Sequence, residues 1–137
     1  MKKEFLKCWK SSRQARKQRK YLANAPQQIR QKLLSGHLSK ELRQKYNRRG
    51  FALRKGDAVK VMSGEFRGKT GKISIVDLMN MRVGIEGLQI TKKDGSKVNV
   101  YFDPSKLMIT ELNLDDKKRI RSIAKIKEAK EIKGAKK

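Results

Sequence analysis

The chain has 137 residues, and its 37 lysines and arginines against 13 acids give a formal charge of +24. Self-repulsion of that size disfavours a compact state unless a polyanion supplies the counter-charge, so nucleic acid leads the partner classes. One cysteine, Cys8, and one histidine, His37, exclude an internal disulfide and are too few to build a thiolate or imidazole metal site.

No apolar run reaches the length of a membrane span, and the charged N-terminus lacks the apolar core of a secretory signal. A reducing setting, cytosolic or nuclear, is expected. The charge is uneven. Residues 1–50 carry 16 basic and 2 acidic side chains, a net +14; residues 51–113 carry 11 and 7, a net +4; residues 114–137 carry 10 and 4, a net +6. The near-balanced middle can bury a core, and the flanks read as arms. The expected division is a basic arm over 1–50, a β domain over 51–113, and a helix with a lysine-rich tail over 114–137.

In chain order, Arg13, Arg16, Lys17, Arg19 and Lys20 crowd into one short stretch, with Phe5, Leu6, Trp9 and Tyr21 scattered around it. One-signed charge with few apolar residues predicts little stable structure in isolation and a polyanion as partner. Asn24 before Ala25-Pro26 reads as a helix cap, with Ile29 and Leu33 on one face and Gly36 as the stop. Ser39 caps a second short helix with Leu42 and Tyr46 as its apolar stripe and Gly50 as its end. His37 falls in the loop between them. Arg30, Lys32, Arg43, Lys45, Arg48 and Arg49 are left for an outward basic face.

The stretch from Lys55 to Val76 organises the middle of the chain. Gly56-Asp57 is a turn, Val59 and Val61 alternate as a half-buried strand, and Ile73 and Ile75 open another. Gly64, Gly68 and Gly71 punctuate the loop between, with Arg67, Lys69 and Lys72 around them. The loop resembles a nucleotide-binding phosphate loop but fails its spacing: three residues separate Gly64 from Gly68, where four are needed. A β-patterned run then follows Lys69-Thr70 in place of the required helix.

Further strands follow at Val83 and Ile85, at Leu88 and Ile90 after a break at Gly87, at Val98 to Phe102, and at Leu107 to Leu112. Met79-Asn80, Lys92-Lys93-Asp94-Gly95 and Asp103-Pro104 supply the turns, the second as a primed hairpin turn. Short strands with tight turns make the fold mainly β, a small SH3-like barrel. Asp115-Asp116 opens a last helix, with Ile120, Ile123, Ala124 and Ile126 as its face, before a basic tail.

The acids of the middle, Asp57, Glu65, Asp77, Glu86, Asp94, Asp103 and Glu111, fall mostly at turns or strand ends, where solvated roles are expected. No catalytic constellation forms, and neither a cofactor nor a small-molecule substrate is implied. Polyanion recognition remains. Arginines supply planar forks for phosphate, lysines supply point charges, and loop glycines let a backbone approach closely. Phe66 and Tyr46 are available either for base stacking or for the core, with the core favoured.

The run Gly56-Asp57, Val59, Val61, Ser63-Gly64, Phe66, Gly68-Lys69 and Gly71-Lys72-Ile73 resembles a KOW motif, shared by ribosomal proteins and transcription elongation factors. The flanks narrow this. Arg16 to Lys20, Asn24-Ala25-Pro26, Leu38 to Leu42, Tyr46 with Arg48-Arg49, Val76-Asp77-Leu78, Glu86-Gly87, the Lys92 to Gly95 hairpin, and Pro104-Ser105 with Ile109 are similar to the archaeal and eukaryotic family of large-subunit ribosomal protein twenty-four.

This likeness covers residues 13–113 and not the segments outside them. It implies an SH3-like barrel on large-subunit rRNA near the peptide exit tunnel, beside neighbouring ribosomal proteins, in the cytoplasm, assisting early subunit assembly. It turns the hairpin of Lys92, Lys93 and Lys97 towards the exit region. The competing reading is a KOW-type elongation factor or RNA chaperone, for which the chain has no room for a polymerase-binding domain.

Overall fold

The computed structural model describes Phe5 and residues 12–123. The elements in order are α1 (Ala15–Asn24), α2 (Gln27–Leu33), β1 (Ser35–Leu38), α3 (Lys40–Tyr46), β2 (Gly50–Ala52), β3 (Ala58–Val61), β4 (Thr70–Asp77), β5 (Arg82–Thr91), β6 (Lys97–Phe102), a 3₁₀ turn (Pro104–Lys106) and β7 (Leu107–Glu111). Residues 117–123 are helical. Cys8, Trp9 and the expected tail beyond residue 123, with Ala124 and Ile126, lie outside the described residues.

One seven-stranded sheet carries the fold, in the order β2-β1-β7-β3-β4-β5-β6. Neighbouring strands are antiparallel except β1 and β7, which pair in parallel through His37 with Met108 and Leu38 with Ile109. Register shifts fall between Ala58 and Val59, between Ile73 and Ile75, and between Gly84 and Gln89. Such irregularities bend a sheet and raise its twist. The bent sheet encloses Leu34, Leu38, Val59, Val61, Ile73, Val83, Ile85, Phe102, Leu107 and Ile109. Each of these apolar burials contributes about 1.5–3 kcal/mol. The domain is mainly β and barrel-like, and the strand order runs from β2 to β6 without closing.

Strands β3, β4, β6 and β7 fall where the alternation of apolar residues places them, while the two strands expected at Val83–Ile85 and Leu88–Ile90 are one, β5. The segment before them differs more from expectation. Three helices, not two, lie between residues 15 and 46, and α1 occupies a stretch expected to be unstructured. Asn24 ends α1 and does not cap α2, whose N-cap position is Pro26 with no side-chain bond. Proline's fixed φ, here −66°, holds it extended outside the helix. Gly36 and His37 form a strand and not a loop, because Leu34 and Leu38 either side of them are drawn into the core.

Gly50 then lets β2 close on β1: a Cβ there would stand 2.6 Å from the Gly36 carbonyl oxygen. Helix α3 forms as read. Ser39 Oγ accepts from the Leu42 N–H at 3.3 Å, and Tyr46 packs edge-on against Phe51 at 6.3 Å. It ends at Tyr46, short of Gly50, with Asn47 left-handed at φ 56°.

Gly87 bulges β5 and does not end it, with φ 78° inside a strand that continues to Thr91. The next hairpin also departs from a two-residue primed turn. The Gly95 N–H donates to the Lys92 carbonyl at 3.0 Å and the Lys92 N–H to the Ser96 carbonyl at 2.8 Å, with Gly95 at φ 82°. That is a three-residue loop whose left-handed position takes the glycine.

The helical residues 117–123 dock on the domain through two side chains one turn apart. Ile123 enters the core cluster, and Arg119 meets Asp57. Asp57 accepts from Arg119 Nη1 at 2.6 Å and Nη2 at 2.9 Å, from the Arg54 N–H at 2.9 Å and from the Asn113 N–H at 2.9 Å. Its solvated role is thus overturned: Asp57 is 0% exposed and Arg119 4%.

Candidate nucleic-acid interface

Helix α1 presents Arg16, Lys17, Arg19 and Lys20, with Arg13 just ahead, and all five are exposed. The helix buries none of its residues and has no acid in its first turn. A ten-residue helix with this charge is marginal in water and gains from a polyanion.

Arg30 pins the α1–α2 corner. Its Nε donates to the Ala25 carbonyl at 2.9 Å, Nη2 to Ala23 at 2.7 Å, and Nη1 to Met79 at 3.0 Å. The fork expected to face a phosphate therefore ties α1 and α2 to the turn between β4 and β5.

Helix α3 and the connection to β2 supply Arg43, Lys45, Arg48 and Arg49, all exposed. Arg43 Nε donates to the Leu38 carbonyl at 2.8 Å, which leaves its terminal nitrogens unused among the described residues. Lys45 lies 5.6 Å from the Tyr46 ring centroid and Arg48 lies 4.9 Å from that of Phe51. Both cations rest on aromatic faces with their charges outward. His37, in β1, has its pKa lowered by burial first and by the Arg43 charge second.

The loop between β3 and β4 is not a phosphate loop. It closes through Gly68 N–H to the Val61 carbonyl at 2.8 Å and runs straight into β4, with no helix to aim its donors. Phe66 turns inward, edge-on to Phe102 at 5.8 Å, and Lys69 sits 4.8 Å above its ring centroid. Tyr46 is buried and Phe66 is half-buried beneath Lys69, so neither aromatic offers a free face for stacking. Arg67, Lys69 and Lys72 remain exposed around this loop.

Lys92, Lys93 and Lys97 are exposed on the β5–β6 hairpin, at the edge of the sheet that β6 forms. Asp94 is spent on the hairpin itself. It accepts from the Ser96 hydroxyl at 2.6 Å and the Ser96 N–H at 2.9 Å, which together hold its carboxyl below the usual range.

The ion pairs among the described residues are Arg54–Asp116, Arg82–Asp103, Lys106–Asp103 and Arg119–Asp57. None of the candidate RNA-contact residues takes part in them. Exposed cations that are not spent on ion pairs with the protein's own acids have unspent attraction for an external polyanion.

Residues 12–126 match the model of a ribosomal protein family that takes in eukaryotic L26 and its archaeal counterpart, protein twenty-four. The chain belongs to this family. It is 48% identical over 108 residues to the large ribosomal subunit protein uL24 of Methanosphaera stadtmanae, covering 79% of this chain and 92% of that one. It is also 48% identical over 108 residues to the protein of the same name from Methanoculleus marisnigri, covering 79% of this chain and 89% of that one. The family is one of structural ribosomal proteins, not enzymes. Its match extends past residue 113 to the segment that holds Arg119 and Ile123, beyond the span of the sequence likeness.

Proposed function

We propose that the chain is a structural constituent of the large ribosomal subunit that binds large-subunit rRNA near the peptide exit tunnel and assists early assembly. Family membership supports the ribosomal setting, and the exposed basic residues, which form no ion pair among the described residues, support the RNA contact. The bent sheet from β3 to β7 serves as the SH3-like KOW barrel.

Arg13, Arg16, Lys17, Arg19 and Lys20 on the arm, Arg43, Lys45, Arg48 and Arg49 on the α3 side, and Arg67, Lys69 and Lys72 at the loop contact phosphates. Lys92, Lys93 and Lys97 do so on the hairpin, which faces the exit region. Arg30 acts by holding the arm's corner in place. The 1–50, 51–113 and 114–137 division is one of RNA-facing roles; structurally, β1 and β2 belong to the sheet.

The unpaired state of the basic surface is the observation that carries this reading. Its test is sedimentation. The protein should travel stoichiometrically with large subunits through moderate salt. Substoichiometric, salt-labile association would contradict it.

A further inference from the structure

We propose that the outer face of β5 and β6 is a reader of one unpaired nucleotide, with Tyr101 as its stacking platform. The idea rests on the RNA-binding reading above and names a subsite within it. Among the described aromatic side chains, Tyr101 is the one that is exposed, at 43%. It stands opposite Gly84 in the register, and Gly84 stands opposite Ile75. A Cβ on Gly84 would lie 3.6 Å from Tyr101 Cε1 and 3.5 Å from Ile75 Cβ. The Tyr101 ring therefore lies across the glycine backbone with Ile75 at its side. An aromatic supported by a cross-strand glycine is held in place at little entropic cost. Its solvent side is free to take a base.

Strand alternation puts Lys97, Asn99 and Tyr101 on one face of β6, while Val100 and Phe102 turn to the core side. Asn99 Oδ1 accepts from Gln89 Nε2 at 2.9 Å across the ladder. The Asn99 side-chain NH₂ and the Gln89 side-chain oxygen Oε1 have no partner among the described residues. Together they offer a free donor and a free acceptor on one cross-strand pair, the groups a base edge needs. Lys97 then leads to Lys92 and Lys93 on the same hairpin, where a phosphate backbone would be neutralised. Stacking surface, edge-reading amides and cation thus follow one another along a single strand. A neighbouring protein would have use for the aromatic but not for this order of groups.

The test uses the full chain and a single-stranded RNA octamer carrying one 2-aminopurine, read by its fluorescence. Wild type and Tyr101→Phe should bind alike and quench the probe. Tyr101→Leu keeps an apolar cover over Gly84 but removes the ring; it should lose about 5- to 100-fold in affinity without a change in salt slope. Asn99→Ala should weaken binding in the same direction.

Unchanged binding and quenching by Tyr101→Leu would overturn the platform. If that variant instead kept RNA binding and lost only a cross-link to a neighbouring protein in assembled subunits, the face would belong to protein and the proposal would fall. Wild-type binding to large-subunit rRNA, measured alongside, separates the two levels. Its loss refutes the functional reading itself, whereas its retention with an indifferent Tyr101→Leu refutes the nucleotide subsite alone.

Discussion

Asp57 and Arg119 form a bidentate ion pair at 2.6 and 2.9 Å, closing a span of 62 residues in sequence. Arg119 also donates to the Asn113 and Ala52 carbonyls at 2.9 and 3.2 Å, so the pair joins β2, the turn into β3 and the C-terminal helical segment. Both side chains are nearly inaccessible, and every carboxylate oxygen is satisfied. Such a pair stabilises little compared with an apolar replacement, but breaking it leaves a buried charge. Arg119→Met should therefore cost about 3–5 kcal/mol in urea denaturation. Arg119→Met combined with Asp57→Asn should recover much of that loss. Equal stability of the two variants would show that the charge is not trapped.

The same arithmetic of space separates two glycines. Gly50→Ala drives a methyl towards the Gly36 backbone oxygen at 2.6 Å, where nothing flexible can yield. A cost of about 1–3 kcal/mol is expected, with β1 and β2 forced apart. Gly84→Ala meets only ordinary contacts at 3.5 Å and beyond, so it should melt close to the wild type. A reversed order in thermal melts would contradict the packing of β1 on β2.

Ser39→Ala removes the oxygen that accepts from the Leu42 N–H. A loss of about 1 kcal/mol is expected from such a cap. Ser39→Asp should retain most of the stability, since a carboxylate also suits the positive end of a helix. Chemical denaturation of the three proteins checks this directly.

His37 gives the fold a pH dependence of known sign. Burial lowers its pKa below the ordinary 6.5, and the Arg43 charge lowers it further. The unfolded chain therefore binds this proton more readily than the folded one. The stability involved is complete above about 6.5, falls as pH drops below it, and levels off below the folded pKa. His37→Gln should remove this component, and Arg43→Gln should shrink it without abolishing it, because burial is the larger cause. Urea midpoints between pH 7 and 5 that matched in all three proteins would contradict the assignment.

Residues with a strong period were legible in the sequence. Val59, Val61, Ile73, Val83, Ile85 and Phe102 alternate as half-buried strands must, and the Ser39 cap carries a local signal. Asp57 and Arg119 were not legible, because a partner 62 residues away leaves no mark on local pattern. Gly36 and His37 look like a helix stop and a loop; only the pairing of both with β2, and of His37 with β7, makes them a strand. Arg30 is indistinguishable by sequence from its basic neighbours until its carbonyl partners are seen. The alternation of Asn99 and Tyr101 with Val98 and Val100 was visible, but the glycine beneath Tyr101 depends on register.

On the proposed function, the basic surface, above all the arm, anchors the protein on rRNA. Deleting residues 1–50 would also remove β1 and Gly50 of β2 from the sheet, so charge removal is the cleaner test. The measurement is the affinity for large-subunit rRNA against salt concentration, for wild type and for a variant with Arg13, Arg16, Lys17, Arg19 and Lys20 changed to Gln. Each lost phosphate contact should lower the slope of log K against log salt by about 1. Weaker binding and a shallower slope are expected of the variant, with its thermal stability unchanged because α1 buries none of its residues. Identical affinity and slope in the two proteins would contradict it.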